Sequence, residues 1–219
     1  MYVQKYPKLK IKLVDGSNMA AAVVVNSIPK GTTEVVFSGK PTKVASAVVF
    51  ALCQRGVKVV VLRAEEHSKL VKSRVVKKNL VLSSSNYCSP LVWLVGDEIG
   101  REEQMKAQEG TLFIPFSQFP PDKLRKDCFY HSTPLRLCLF PSLPKTSTHV
   151  RYNFEYIHRY NWLGRRLMSA WRVGGIVHAL EGWEEHECGN TPNFFRLNAV
   201  WEAALRHGFQ PLVLPPSHH

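Results

Sequence analysis

The run Val57–Leu62 constrains the fold more than any other feature of this sequence. Five of its six residues are apolar and four are valine, a composition typical of a strand that is covered on both faces of a parallel sheet. Before it, Thr42–Arg55 places apolar residues on one helical face, and Gly56 follows where a glycine cap is expected. Glu34–Phe37 is typical of a short buried strand. Strand, helix and strand at this spacing predict a βαβ unit.

The same alternation continues along the chain. Further elements are predicted as strands at Leu9–Val14, Leu80–Leu82, Val92–Val95 and Thr111–Phe116, and as helices at Asn18–Ser27, Glu65–Ser73, Arg101–Ala107, Leu163–Leu180 and Asn193–His207. Asp15 or Ser17 could cap the first of these helices and Thr191 the last. The predicted fold is an α/β, Rossmann-like, doubly wound and mostly parallel sheet with a C-terminal helical segment. We divide the chain into a Rossmann-like part (1–134), a divergent, poorly ordered insertion (135–160), a C-terminal helical part of the same domain (161–212) and a tail (213–219).

Positive charge is concentrated at the start of the chain. Residues 1–80 hold 15 Lys and Arg against 4 Asp and Glu, whereas residues 81–219 hold 14 against 13. Such a surface could meet a nucleotide phosphate, an anionic lipid headgroup or nothing but solvent. Nucleic acid is not an expected partner, because no basic–aromatic motif accompanies the lysines.

Five cysteines without a CxxC pair, and a start without an apolar signal segment, favour reduced thiols and a cytosolic compartment. No stretch approaches the roughly 18 apolar residues of a membrane span. The sequence therefore predicts a chain that does not cross a bilayer by itself.

The loop after the strand Glu34–Phe37 is where a dinucleotide would bind. Of the three glycines of a dinucleotide fingerprint only Gly39 is present, with Lys43 and an alanine in the later positions. The candidate cofactor-binding residues are Gly39, Thr42 and Lys43 at this helix N-terminus, and Arg63, which could meet a 2′-phosphate. The alternative is a retained fold whose site has been lost.

Other catalytic and metal patterns are weak. A reductase Tyr-x-x-x-Lys pair occurs only at Tyr6 and Lys10, before the first βαβ unit, so no catalytic residue is assigned. His178, His186 and Cys188 are weak candidates for metal ligands, because their spacing matches no strong zinc pattern and structural hydrogen bonding is the commoner role. No two histidines lie two to four residues apart.

Three blocks together carry a family resemblance. They are Asn26–Val35, Trp93–Asp97, and Gly174–Gly189 followed by Trp201–His207. They resemble the C-terminal domain of the plant Eceriferum/Glossy wax-synthesis proteins, the very-long-chain aldehyde decarbonylases, over about residues 10–135 and 161–212.

The resemblance implies a place in cuticular alkane synthesis at the cytosolic face of the endoplasmic reticulum membrane. In full-length members the di-iron centre is held by His clusters of an N-terminal membrane region, and none of those positions is matched here. The implied partners are that membrane half or a sister subunit, and an electron donor such as a cytochrome b5, with a very-long-chain aldehyde or acyl substrate engaged only indirectly. The chain is expected to carry no cofactor of its own and, if expressed alone, to be soluble.

Two alternative functions stay open at this stage. One is an NADP(H)-dependent reductase domain acting on very-long-chain acyl-CoA or aldehyde. The other is a basic module that binds a membrane surface or a partner protein.

Overall fold

A six-stranded, entirely parallel sheet forms the centre of the computed structural model, in the order β3-β2-β1-β4-β5-β6. The structure describes residues 10–72, 79–83, 90–119, 121, 123–131, 133–137, 167–189 and 196–212. The strands of this sheet are β1 (Glu34–Ser38), β2 (Lys58–Val61), β3 (Leu80–Leu82), β4 (Val92–Val95), β5 (Leu112–Pro115) and β6 (Phe129–Tyr130). The predicted α/β class with a parallel sheet is confirmed.

The helices described are α1 (Ser17–Ser27), α2 (Lys43–Gln54), α3 (Ala64–Lys72), α4 (Arg101–Gln104), α5 (Ala170–Leu180) and α6 (Leu197–Arg206). Side chains alternate between the two faces of the sheet, so that Val35 and Phe37 join the larger core with α1, α2, α5 and α6, while Val36 joins a smaller core with Trp93 and Phe113. Coverage on both faces explains why β1, β2 and β4 are almost continuously apolar.

A second sheet lies at the C-terminal end of the described chain. Its antiparallel strands are β7 (Leu135–Leu137), β8 (Leu167–Met168) and β9 (Phe209–Pro211), in the order β8-β7-β9. Leu135 is fully buried in the larger core. The first three residues of the predicted insertion thus form a strand. Residues 138–160 and the tail lie outside the described part of the chain, so the poorly ordered insertion stays a prediction.

Three element predictions need correction. The strand at Leu9–Val14 is wrong for the residues described, because Val14 makes only a single parallel bridge to Glu187. The helix predicted from Leu163 begins at Ala170, where the Ser169 side chain accepts the Arg172 N–H at 3.4 Å.

The remaining correction concerns the helix predicted at Arg101–Ala107, which ends at Gln104. The Arg125 guanidinium donates to Gln104 O, the last carbonyl of this helix, at 2.6 Å and to Ala107 O, beyond the helix end, at 2.7 Å. The cap Thr191 lies outside the described residues, and of the predicted last helix the structure describes Leu197–Arg206.

Candidate functional site

The carboxyl ends of β1 and β4 meet at the point where the strand order reverses, which is where an open α/β sheet binds its ligand. Here the two loops touch. The Gly96 N–H donates to Ser38 O at 3.0 Å, and a Cβ built on Gly39 would lie 2.9 Å from Gly96 N and 3.0 Å from Phe116 Cζ. The backbone φ of Gly39 is +137°, a conformation that residues other than glycine rarely adopt. A glycine is therefore required at position 39 because the loops after β1 and β4 and the Phe116 ring leave no room for a side chain.

The predicted phosphate-binding residues of the next helix have partners inside the chain. Thr42 caps α2, its hydroxyl accepting the Ala45 N–H at 3.1 Å. The Lys43 Nζ atom lies 2.8 Å from the Asp15 carboxylate. Burial raises the pKa of the Asp15 carboxyl, but the hydrogen bonds from Lys43 and from the Ser17 hydroxyl and N–H outweigh it, so this pKa lies below its usual range. The N-cap of α1 is Gly16, without a side-chain cap, so the predicted cap at Asp15 or Ser17 is wrong; Asp15 accepts the Ser17 N–H at 3.0 Å and is a counter-ion for Lys43 of α2.

Arg63 joins a group of acidic residues at the same edge of the sheet. Its guanidinium hydrogen-bonds Glu103 and lies 3.5 Å from Glu66. Glu103 in turn accepts the hydroxyl of the fully buried Ser38 at 2.8 Å. We call Ser38, Arg63, Glu66 and Glu103 the acidic edge cluster.

Burial raises the pKa of Glu66, and the neighbouring Glu103 carboxylate raises it further, whereas Arg63 and the Gly39 N–H act in the opposite direction. The Glu66 Oε2 atom is buried without a hydrogen-bond partner. The direction of the shift agrees with this burial, because an ionised carboxylate is costly to bury without partners. Two glutamates thus occupy the edge where a cofactor's phosphates would need positive charge.

The predicted site residues therefore assemble only in part. Gly39, Thr42 and Lys43 lie on one loop and helix start, and Arg63 is directed to the acidic edge cluster. Sequence reasoning missed Asp15 as a counter-ion and Glu66 and Glu103 as partners of Arg63. Glu103 is 65 residues from Ser38 and 40 from Arg63 along the chain, a separation at which no local pattern indicates pairing.

The three weak metal candidates line a small cavity of about 60 Å³ together with Lys43 and Glu187. Each histidine has a structural hydrogen bond: His178 Nε2 lies 2.8 Å from Glu185 O, and His186 Nδ1 accepts the Leu13 N–H at 3.1 Å. In the described part of the chain no three His, Cys, Asp or Glu side chains are grouped to hold a metal ion. Those residues therefore do not fit the di-iron centre that the resemblance implies for full-length proteins.

The segment 183–188 instead fastens the N-terminal residues to α5. Glu187 donates its N–H to Leu13 O at 2.9 Å and accepts the Asp15 N–H at 2.7 Å. Its carboxylate accepts the Asn18 N–H at 3.0 Å, so that it serves a free donor at the start of α1. Burial raises the pKa of this carboxyl. The polar residues of this segment, which resemble a binding site in the sequence, thus form structural hydrogen bonds to residues 13–18.

Among the helices of the described residues, none combines the length and apolar character that a membrane crossing needs.

Comparison with known proteins gives a consistent result. The sequence profile of a family described as "CER1-like, C-terminal domain" matches residues 35–211. "Protein CER1-like 1" of Arabidopsis thaliana is 71% identical over 218 residues, which are 99% of this chain and 32% of that protein. "Very-long-chain aldehyde decarbonylase CER1" of the same plant is 51% identical, over 100% of this chain and 33% of its own length. "Very-long-chain aldehyde decarbonylase GL1-5" of Oryza sativa subsp. japonica is 47% identical, over 97% and 32%. The chain spans about a third of the length of the relatives it matches.

Proposed function

This chain belongs to the CER1-like family through its C-terminal domain, and from that premise we propose that it supports the catalysis of a larger very-long-chain aldehyde decarbonylase in plant wax synthesis. Its role is to bind the membrane half or a sister subunit at the cytosolic face of the endoplasmic reticulum, where an electron donor such as a cytochrome b5 also docks. The chain does not convert the aldehyde by itself. Two relatives that match 100% and 97% of this chain are named as very-long-chain aldehyde decarbonylases, and these names support a place in wax synthesis.

One observation carries the supporting role: the switch point of the sheet is filled by the protein's own groups. Gly39 touches Gly96, and Phe116 stacks on Phe37 with ring centroids 5.1 Å apart. Arg63 is engaged by two glutamates. Among the described residues, these contacts occupy the positions that a dinucleotide's phosphates would need, which supports a role other than cofactor binding.

Co-expression tests the proposal. The region of the rice relative that this chain does not match is expressed in yeast supplied with a very-long-chain aldehyde, with and without the 219-residue chain, and alkane is measured by gas chromatography. We expect no alkane from the chain alone and a higher yield from the two parts together. Alkane production by the purified chain, or a yield that is the same with and without it, would contradict the proposal.

The strand order favours one alternative, an NADP(H)-dependent reductase domain acting on acyl-CoA or aldehyde. The order 3-2-1-4-5-6 is that of dinucleotide-binding sheets, and α2 starts beside its switch point with a threonine cap. Binding would require Arg63 to leave Glu103 and Phe116 to move. Titration with NADPH, followed by cofactor fluorescence, distinguishes the two functions: saturation below about 1 mM, the upper end of ordinary substrate affinities, favours the reductase.

A further inference from the structure

A groove of about 520 Å³ lies between α4 and the segment 123–127. Its lining includes the cations Arg101, Lys123 and Lys126 and the apolar side chains of Met105 and Leu124. The volume falls within the range of about 300–1,000 Å³ that small-molecule sites occupy. We call it the cationic groove.

The floor of the groove is fixed by buried hydrogen bonds. Gln104 is 1% exposed, donates its side-chain amide to Lys123 O at 2.9 Å and accepts the Tyr130 hydroxyl at 2.5 Å. The same hydroxyl accepts the Arg125 N–H at 2.9 Å. Because α4 and the segment 123–127 are joined through these bonds, the backbone on the two sides of the groove is held in place before any ligand arrives.

The lining of the groove has more basic than acidic side chains, which favours an anionic ligand. Arg125 is neutralised by Asp127, with which it forms a two-pronged ion pair. Within the part of the chain that the structure describes, no ion pair engages Arg101, Lys123 or Lys126. Of the described residues that line the groove, Asp127 is the only acidic one and it pairs with Arg125, which leaves Arg101, Lys123 and Lys126 outside the ion pairs of the described chain.

We propose that the cationic groove binds a phosphate-bearing amphiphile, with the phosphate between Arg101, Lys123 and Lys126 and the apolar part against Met105 and Leu124. Arg and Lys are the side chains that recognise phosphate oxygens, Arg through a planar fork and Lys as a point charge. Methionine adapts its flexible side chain to varied apolar groups, and Met105 is 61% exposed, so it is available for contact. Neither the closed switch point nor the role proposed above is needed for this site.

A pair of matched charge variants tests the site. The groove variant is Arg101→Gln/Lys123→Gln/Lys126→Gln in the 219-residue chain. The control variant, Lys30→Gln/Lys69→Gln/Lys72→Gln, removes the same charge from exposed positions on the α1–β1 loop and α3. Circular dichroism first establishes that both remain folded. The probe is the soluble short-chain lipid dihexanoyl phosphatidic acid, and its binding is measured by isothermal titration calorimetry.

We expect the groove variant to bind the probe at least about tenfold more weakly than the wild type, because hydrogen bonds to charged groups are among the stronger ones, and the control variant to bind within about twofold. Equal loss in both variants, or full binding by the groove variant, would overturn the proposal. Inorganic phosphate and phosphatidic acid vesicles are then used as competitors. Displacement by phosphate at similar concentrations identifies a free phosphate ligand, and displacement by vesicles alone identifies a lipid headgroup; either keeps the site.

Discussion

Replacing Gly174 by alanine should destabilise the fold, whereas the same change at the adjacent Gly175 should stabilise it. Both glycines lie inside α5. A Cβ at position 174 would lie 2.7 Å from the Gly16 Cα and 3.0 Å from the Met19 Cβ, while a Cβ at position 175 would meet nothing within 4 Å. One glycine is therefore required by the packing of α5 on the start of α1, and the other is not.

The magnitudes follow from two opposing effects. Alanine in a helix interior is favoured over glycine by about 0.5–1 kcal/mol, which is the whole expected effect at Gly175. At Gly174 the same gain is opposed by overpacking of about 1–3 kcal/mol or more. The obstacle there is the backbone of Gly16, whose φ of +67° and own contact with Trp171 leave it little room to move. Because the gain from alanine is the same at both positions, the two variants should differ by the overpacking alone, about 1–3 kcal/mol or more, which in a chain of this length separates their Tm values by roughly 2–12 °C.

Thermal and urea unfolding followed by circular dichroism at 222 nm measure this difference. We expect Gly175→Ala above the wild type in Tm and Gly174→Ala below it, with equal m-values. If Gly174→Ala were as stable as Gly175→Ala, the close approach of α1 and α5 would be wrong. The pair also sharpens the co-expression experiment, since Gly175→Ala should keep the alkane gain and Gly174→Ala should reduce it.

Three further results are expected. Gly39→Ala should lower the free energy of unfolding by about 2 kcal/mol or more, because of backbone strain at positive φ and the contact of the new Cβ with Gly96. Gly56→Ala should lower it by less, since Gly56 also has a positive φ but has open space around it. Urea unfolding compares the two variants. Because the pKa of Glu66 is raised on folding, the folded state retains a proton that the unfolded chain loses, so wild-type stability falls as pH rises from about 4.5 through the raised value. Glu66→Gln should gain stability relative to the wild type across that window, and a constant difference from pH 4 to 8 would contradict the assignment. Burial raises the pKa of the Cys53 thiol to about 11, so iodoacetamide at pH 8 should label it more slowly than Cys188, as mass spectrometry of tryptic peptides can determine.

Local patterns predicted the first five strands of the parallel sheet but not β6, which has only two residues. Thr42–Arg55 and Gly56 contain the cap, the apolar face and the terminating glycine of α2 within 15 residues, and that helix appears within one residue of its predicted ends. Leu9–Val14 shows why alternation of polar and apolar residues can predict a strand that does not form. Its alternation is real, but its partner is a loop more than 170 residues away, and strand alternation says nothing about whether a partner strand exists.

The site was predicted less well, for the same physical reason. Gly39, Thr42, Lys43 and Arg63 lie at the expected edge of the sheet, because the βαβ pattern determines that edge. What occupies the edge depends on Glu66, Glu103 and Phe116. The pairing of Arg63 with Glu103, 40 residues away, leaves no local pattern in the sequence, whereas Glu66 is only three residues from Arg63. The difference between Gly174 and Gly175 was likewise invisible, since both weaken an isolated helix equally.

Folding also redistributes the charge that the sequence places in residues 1–80. Among the described residues, five of these basic side chains form ion pairs, three of them with glutamates from beyond residue 80: Lys12 with Glu184, Lys40 with Glu98, Lys43 with Asp15, Lys58 with Glu34, and Arg63 with Glu103.

The cationic groove, by contrast, lies in a part of the chain whose net charge is near zero, yet its cations have no such partners among the described residues. A basic membrane-binding surface spread over residues 1–80 and one centred on the groove therefore make opposite predictions for the same two charge variants. On vesicles containing an anionic lipid, the first requires the Lys30, Lys69 and Lys72 variant to bind more weakly and to show the smaller salt dependence. The second requires this of the Arg101, Lys123 and Lys126 variant. Because both variants lose equal charge, screening by salt affects them alike, and any difference between them reports where the charge lies.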